Sequence, residues 1–315
     1  MLATIDKIRE IAATLLTDQT VEMVIGFKKG TVPMMNEPCA ITCPEASRQL
    51  VWDSHCGINL ANYLTDRTEK IGIVAKGCDS RNIVTHIIEN KIQREQLYII
   101  GVPCDGMIDR HKVADRFGDE IEKVAEKDGR LTVTGAGREA VYEKGDLLQD
   151  NCIICVHRNP VLYDVMAAEP VDEQTDVDRY EDIRRIEAMA PSDRQVFFDD
   201  MLSRCIRCYA CRNACPLCYC PTCFVDESRP QWVGKSQDPV DVKTFHLLRA
   251  YHCAGRCTDC GACERACPAG IKVRLLTKKL EKDCRELFDW EAGLHIDVRP
   301  PLDTYQPGDP QDFIK

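Results

Sequence analysis

The chain lacks several things that would assign it to familiar classes. Its uncharged apolar runs, such as Ile71 to Ala75 and Leu97 to Pro103, fall far short of the roughly 20 residues a spanning helix needs, so no membrane span is expected. Basic charge is short: 41 Lys and Arg stand against 51 Asp and Glu, a net charge of -10. Nucleic-acid binding needs clustered Lys and Arg, so no nucleic-acid partner is expected. The N-terminus, MLATIDKIRE, puts charges where a secretory leader has its apolar core, so export by that route is not expected and a cytoplasmic protein is. Neither H-E-x-x-H nor G-x-S-x-G occurs, which leaves hydrolysis without support.

Cysteine is abundant, with 20 among 315 residues. A reducing cytoplasm keeps thiols from pairing, so a count this high points to metal or cluster ligation instead of disulfides. A composition of 44% hydrophobic and 29% charged residues is that of a soluble globular chain, and the length allows two domains.

Periodicity outlines the first domain. Leu2, Ile5, Ile8, Ile11, Ala12, Leu15 and Leu16 have helical spacing, and 21–27 reads as a strand. Residues 71–78 and 97–104 read as buried strands flanking a helix over 80–92, a strand-helix-strand unit. Each strand ends in a cysteine, which predicts Cys78 and Cys104 together at the carboxyl edge of a parallel sheet, where open α/β folds place their sites. Asp79, Ser80 and Arg81 suit a helix start.

An acidic stretch, 167–182, carries seven acidic residues against one arginine and reads as a connector. Helices are expected over 180–189 and 193–205, separated by Pro191, and again over 240–252 and 274–287. The last residues, 299–315, hold four prolines and suit an extended arm. His86, His246 and His252 fall in helical stretches and read as packed or surface histidines. Lys278, Lys279, Lys282 and Arg285 form one basic face at helical spacing, read as solvated or as a dock for an acidic redox partner.

The chemistry is carried by two copies of C-x2-C-x2-C-x3-C-P: Cys205, Cys208, Cys211, Cys215 with Pro216, and Cys257, Cys260, Cys263, Cys267 with Pro268. Three thiolates two residues apart wrap three corners of a cubane, while the fourth cysteine ligates the other cluster. Crossed ligation gives one cluster to Cys205, Cys208, Cys211 and Cys267, and a second to Cys257, Cys260, Cys263 and Cys215. Four-ligand zinc sites instead pair C-x2-C with a distant pair. The 41 residues between Cys215 and Cys257 are helical in pattern, so this is not a minimal ferredoxin. HLLRAYHCAGRCTDCGACERACPAGIKVRLLTKKL carries a resemblance to the α-helical ferredoxin domains of heterodisulfide reductase and succinate dehydrogenase iron–sulfur subunits, over about 195–290.

A third constellation comprises Cys78 in AKGCDSR, Cys104 in GVPCDG, and Cys152 with Cys155 in NCIICVHRNP. Four cysteines with one C-x2-C pair suffice for a cubane. Their order after successive strands is similar to that in the beta subunits of deazaflavin (coenzyme F420) reducing hydrogenases and formate dehydrogenases, over about 20–165. The resemblance implies a [4Fe-4S] cluster on these four residues, and in that family it lies beside a flavin. No glycine-rich loop for FAD phosphates is present: FKKG (27–30) and DSHCGIN (53–59) offer one glycine each. The flavin-binding residues are therefore unassigned.

Eight cysteines remain. Cys218, Cys220, Cys223 and Cys253 flank the two motifs and are candidates for further metal or for lining the cluster pockets. Cys39, Cys43 and Cys56 form a site only with a fourth ligand such as His55, and Cys284 has no assigned role.

The expected architecture is an α/β N-terminal domain with a mostly parallel sheet (1–166), an acidic linker and helix (167–194), an all-α dicluster domain (195–290) and an extended tail (291–315). The expected function is single-electron transfer through [4Fe-4S] clusters in an anaerobic oxidoreductase complex. The resemblance implies partner subunits such as a formate dehydrogenase or hydrogenase catalytic subunit, a flavin subunit, or a heterodisulfide reductase-like subunit. The alternative is an FAD-containing subunit that exchanges hydride with NADH or a deazaflavin.

Overall fold

The computed structural model describes residues 2–301, 303 and 308; most of the expected C-terminal arm lies outside the described residues. The chain divides into two compact units, Met1–Arg81 with Asn90–Val177, and Asn82–Glu89 with Asp178–Lys315.

The first unit opens with α1 (Leu2–Thr17), which buries the stripe Ile8, Ala12, Leu15 and Leu16. Strands β1 (Met23–Lys28), β2 (Glu37–Ile41), β3 (Leu50–Val51) and β4 (Ile71–Ala75) follow, then helix α2 (Gly77–Ile88) and strand β5 (Leu97–Gly101). Helix α3 (Arg110–Phe117), strands β6 (Lys123–Lys127), β7 (Arg130–Gly135) and β8 (Arg138–Glu143), the short α4 (Asp150–Ile153) and strand β9 (Val165–Met166) complete it. Helix α2 begins in this unit, and its residues from Asn82 onward are counted with the second.

The main sheet is mixed, with strand order β2-β1-β4-β5-β9 and β3 also on β1. The parallel ladders expected from the strand-helix-strand pattern run through β1, β4, β5 and β9. Strands β2 and β3 add antiparallel ladders on β1, β2 after the connection over 29–36 and β3 further along the chain. Every residue of β4 is buried, as its unbroken apolar run requires.

Strand β4 stops at Ala75, so Cys78 lies in the first turn of α2 and not on the strand. Ala75 pairs with Gly101 in the parallel register, and Cys78 and Cys104 each follow three residues later. They therefore leave the sheet at the same edge. A separate antiparallel sheet, β6-β7-β8, is absent from the sequence reading above. Its signal is the alternation of buried Leu131 and Val133 with less buried neighbours.

The described part of the second unit is helical: the C-terminal half of α2 is joined by α5 (Glu181–Glu187), α6 (Pro191–Ser203), α7 (Ala210–Asn213), α8 (Pro239–His252), α9 (Ala262–Arg265) and α10 (Arg274–Phe288). Pro191 sits in the first turn of α6, where a missing N–H costs nothing. The Asp238 side chain accepts from the Val240 N–H to cap α8. Leu202, Val225, Val233, Val242, Phe245, Ile271 and Val273 form the core around Cys211 and Cys267. No helix among the described residues is long and apolar enough to cross a membrane.

The basic face expected on α10 is not a solvated one. Lys278 is 2% exposed and Lys282 7%. Lys278 Nζ lies 2.9 Å from Asp259 and 3.0 Å from Glu281, and Lys282 pairs with Glu187 and Glu286. Each of these lysines has one carboxylate on α10 itself, Glu281 or Glu286, and one distant in sequence, Asp259 or Glu187. Arg285 remains exposed, 3.5 Å from Asp289.

Candidate metal centres

The two cysteine motifs fold alike. In the first, Arg207 and Tyr209 flank Cys208 with φ of 51° and 59°; in the second, Asp259 and Gly261 flank Cys260 with φ of 57° and 70°. Only Gly261 enters the left-handed region without a Cβ penalty, so three residues hold strained backbone at equivalent positions. The effect is to curl each run tightly before a one-turn helix, α7 or α9, that carries the third cysteine. Strain of this kind, repeated in register, marks a loop shaped around something.

Two cavities lie beside these loops. Cys205, Cys208, Cys211 and Cys267 line one, walled by Tyr209, Phe245 and Ile271. Cys215, Cys257, Cys260 and Cys263 line the other, with Cys253 beside them. Each cavity thus receives three cysteines of one motif and the fourth of the other. Backbone N–H groups reach two of the sulfurs in the first, Arg207 N to Cys205 Sγ and Ile271 N to Cys267 Sγ, both at 3.4 Å. N–H to sulfur hydrogen bonds and burial are the means by which a protein sets a cluster's potential.

Burial makes a bare thiolate costly here. It pushes the Cys211 and Cys263 thiols up to about 11 and Cys257 to about 12. A set of buried cysteines that resists ionising alone, around a cavity, fits a cationic iron–sulfur core, which supplies the missing charge.

Helix α8 sends one polar group to each cavity. His246 Nε2 lies 3.3 Å from Cys205 Sγ, and burial lowers the imidazole to about 4, with Arg249 and Arg207 adding to the effect. Arg249, one turn on, lines the second cavity and donates to the Cys211 carbonyl at 3.0 Å. Asn82 donates to Thr258 Oγ1 at 2.8 Å, and the fully buried His86 donates Nε2–H to the Pro216 carbonyl at 2.7 Å. None of these four was identified as a cluster neighbour by sequence. They come from helices that local pattern reads only as packed.

In the first unit, Cys78, Cys104, Cys152 and Cys155 come together closely enough that their charges act on one another. Burial pushes Cys78 up to about 12 and Cys104 well above its ordinary value, and the Cys152 and Cys155 sulfurs add to the effect at Cys78. The Met107 N–H donates to Cys152 Sγ at 3.4 Å. Lys76 acts in the opposite sense on Cys78 and Cys104. It is 1% exposed, pairs with Asp79 at 2.8 Å and donates to the Ile58 carbonyl at 3.0 Å. Asp79 accepts from the Lys76 and Leu60 N–H groups, so beyond serving the helix start it anchors a buried ion pair.

The remaining cysteines separate. Cys215, Cys218 and Cys253 place their sulfurs within 4.8 Å of one another. Among the described residues Cys220 and Cys223 do not join them, and Cys39, Cys43, Cys56 and His55 form no such group. Cys56 is buried against Asn36 and Asp53, and Cys43 and Cys220 are exposed. Cys284 is buried on α10 near Gly255.

Residues 201–271 match the family described as a 4Fe-4S dicluster domain. This part of the chain is similar to iron–sulfur dicluster domains. Among curated proteins, the F420-dependent formate dehydrogenase subunit beta of Methanocaldococcus jannaschii is 25% identical over 91% of this chain and 91% of its own length. The F420-dependent formate dehydrogenase 1 subunit beta of Methanococcus maripaludis is 24% identical over 91% of this chain and 90% of its own. The resemblance to such beta subunits read from the cysteine order thus extends over most of the chain. Among solved structures, a chain of the F420-reducing [NiFe] hydrogenase complex of Methanosarcina barkeri aligns with 50% of this chain and 59% of its own, at 13% identity and a TM-score of 0.38.

Proposed function

We propose that this chain is an iron–sulfur electron-transfer subunit that relays single electrons within a cytoplasmic formate dehydrogenase- or hydrogenase-type complex, with a catalytic subunit and a flavin subunit as partners. The observation that carries this reading is the distribution of the eight motif cysteines into two cavities, three from one motif and one from the other in each. In this reading Cys205, Cys208, Cys211 and Cys267 hold one [4Fe-4S] cluster, Cys257, Cys260, Cys263 and Cys215 a second, and Cys78, Cys104, Cys152 and Cys155 a third. Residues 1–166 and 195–290 are the working parts, joined by the acidic segment between them.

A bound cubane supplies one-electron storage with little rearrangement of its atoms. The chain's own residues do the rest. Each cysteine is a thiolate ligand, not a nucleophile. Phe245, Ile271 and Val273 keep water from the first cavity, while Arg249 and Lys76 place positive charge beside the buried sulfurs, which favours the reduced state. In this reading hydride exchange belongs to a flavin-containing partner subunit; in the alternative, FAD bound to this chain performs it.

Anaerobically purified protein is expected to be brown, with a broad absorbance that dithionite bleaches, and to yield no FAD on extraction. A colourless preparation holding zinc contradicts the relay; stoichiometric FAD moves the chain to the hydride-exchanging class.

A further inference from the structure

A cubane has four corners to ligate, yet five cysteines line the second cavity: Cys215, Cys253, Cys257, Cys260 and Cys263. Cys257, Cys260 and Cys263 belong to one tight loop and account for three corners. The fourth corner would then have two candidate sulfurs, those of Cys215 and Cys253, which lie within 4.8 Å of each other. Cys253 is held as firmly as any motif cysteine. It is 2% exposed, it closes α8, and its carbonyl accepts the Cys257 N–H at 2.9 Å, so one backbone turn ties it to the loop it adjoins.

Building on the proposed second cluster, we infer that Cys253 is a second, interchangeable fourth ligand of that cluster, sharing the corner with Cys215. Exchange is a ligand substitution without electron transfer: one iron–sulfur(cysteine) bond breaks and another forms. The incoming thiol loses its proton and the departing thiolate gains one.

The surroundings suit a sulfur that leaves the metal. Arg249 is 4% exposed, and its Nε is among the buried nitrogens without a hydrogen-bond partner. Its charge reaches Cys215, Cys253 and Cys218 alike. Cys218 Sγ lies within 4.8 Å of both the Cys215 and the Cys253 sulfurs, so a third sulfur stands beside the exchanging pair. A displaced thiolate therefore meets a cation and the Cys218 thiol instead of apolar wall.

The test uses the full chain, purified anaerobically as wild type, Cys215→Ala, Cys253→Ala and the double variant. Iron and acid-labile sulfide are measured per chain, with electron paramagnetic resonance of the dithionite-reduced protein. Each single variant is expected to keep wild-type iron and the second cluster's signal. The double variant is expected to lose about a third of the iron and that signal alone. Loss of the second cluster from either single variant overturns the inference, as does its retention in the double variant. Cys215→Ser and Cys253→Ser, close in size to cysteine, guard against a folding defect, and persistence of the first cluster's signal reports an intact domain. Wild type lacking labile sulfide would instead overturn the cluster reading itself, so the two failures are distinct.

Discussion

Lys278 shows how much the second motif depends on a single side chain. Its ammonium sits between Asp259, inside the C-x2-C-x2-C loop, and Glu281 of its own helix, and all three are almost fully buried. Burial pushes the Asp259 carboxyl up, but Arg274 and Lys278 outweigh it and hold it below the usual carboxylate range. Removing one partner of such a network leaves buried charge uncompensated, which costs about 3–5 kcal/mol. Lys278→Met is expected to lose about 3 kcal/mol in anaerobic urea unfolding of the cluster-loaded protein, since Arg274 still serves Asp259. A loss within about 0.5 kcal/mol, usual for a surface change, would return this lysine to a solvated face. The sequence showed Lys278 and its helical spacing clearly; it could not show that Asp259 lies against it. Cys152 offers a second test at this scale: Cys152→Ala is expected to lower iron by about four atoms per chain while the ferredoxin-type signal persists. Unchanged iron would remove the N-terminal cluster.

Among the elements, what was legible follows from how local the cause is. The strand-helix-strand unit was visible because a fully buried strand needs an unbroken apolar run, and β4 and β5 have one. The cysteine motifs were visible because cubane ligation fixes their spacing. The matching left-handed residues around Cys208 and Cys260 were hidden, since Arg207 and Tyr209 are not residues that advertise that backbone and a single Asp or Gly in the second motif is a weak signal. The β6-β7-β8 sheet was also missed, its strands being mostly polar with a few buried positions. The placement of His246 and Arg249 beside the cavities was illegible because it depends on where α8 packs.

The turn between β4 and α2 makes a prediction of its own. A methyl group on Gly77 would come 2.1 Å from the His157 carbonyl oxygen and 3.0 Å from that of Asn159, both backbone atoms. The same segment accepts the Cys104 N–H through the Arg158 carbonyl at 3.0 Å. Gly77→Ala is thus expected to displace residues 157–159 and deplete the N-terminal cluster's iron, whereas Gly145→Ala, with open space around it, leaves the iron unchanged. Equal iron in both variants would mean that the close approach at Gly77 does not hold the third cysteine set together.

Across the whole molecule, the proposed relay has twelve cysteines for three clusters, with buried cations and N–H groups beside them to tune the potentials. Its composition, rich in thiols and poor in anything suited to nucleic acid, led there first. The cavities and the likeness to formate dehydrogenase beta subunits point the same way. The most direct measurement combines iron, acid-labile sulfide and electrons taken up, all determined on one anaerobic preparation of the full chain by chemical assay and reductive titration. The account predicts about twelve irons, about twelve sulfides and about three electrons per chain. Iron without labile sulfide, or clusters that accept no electrons, would contradict it.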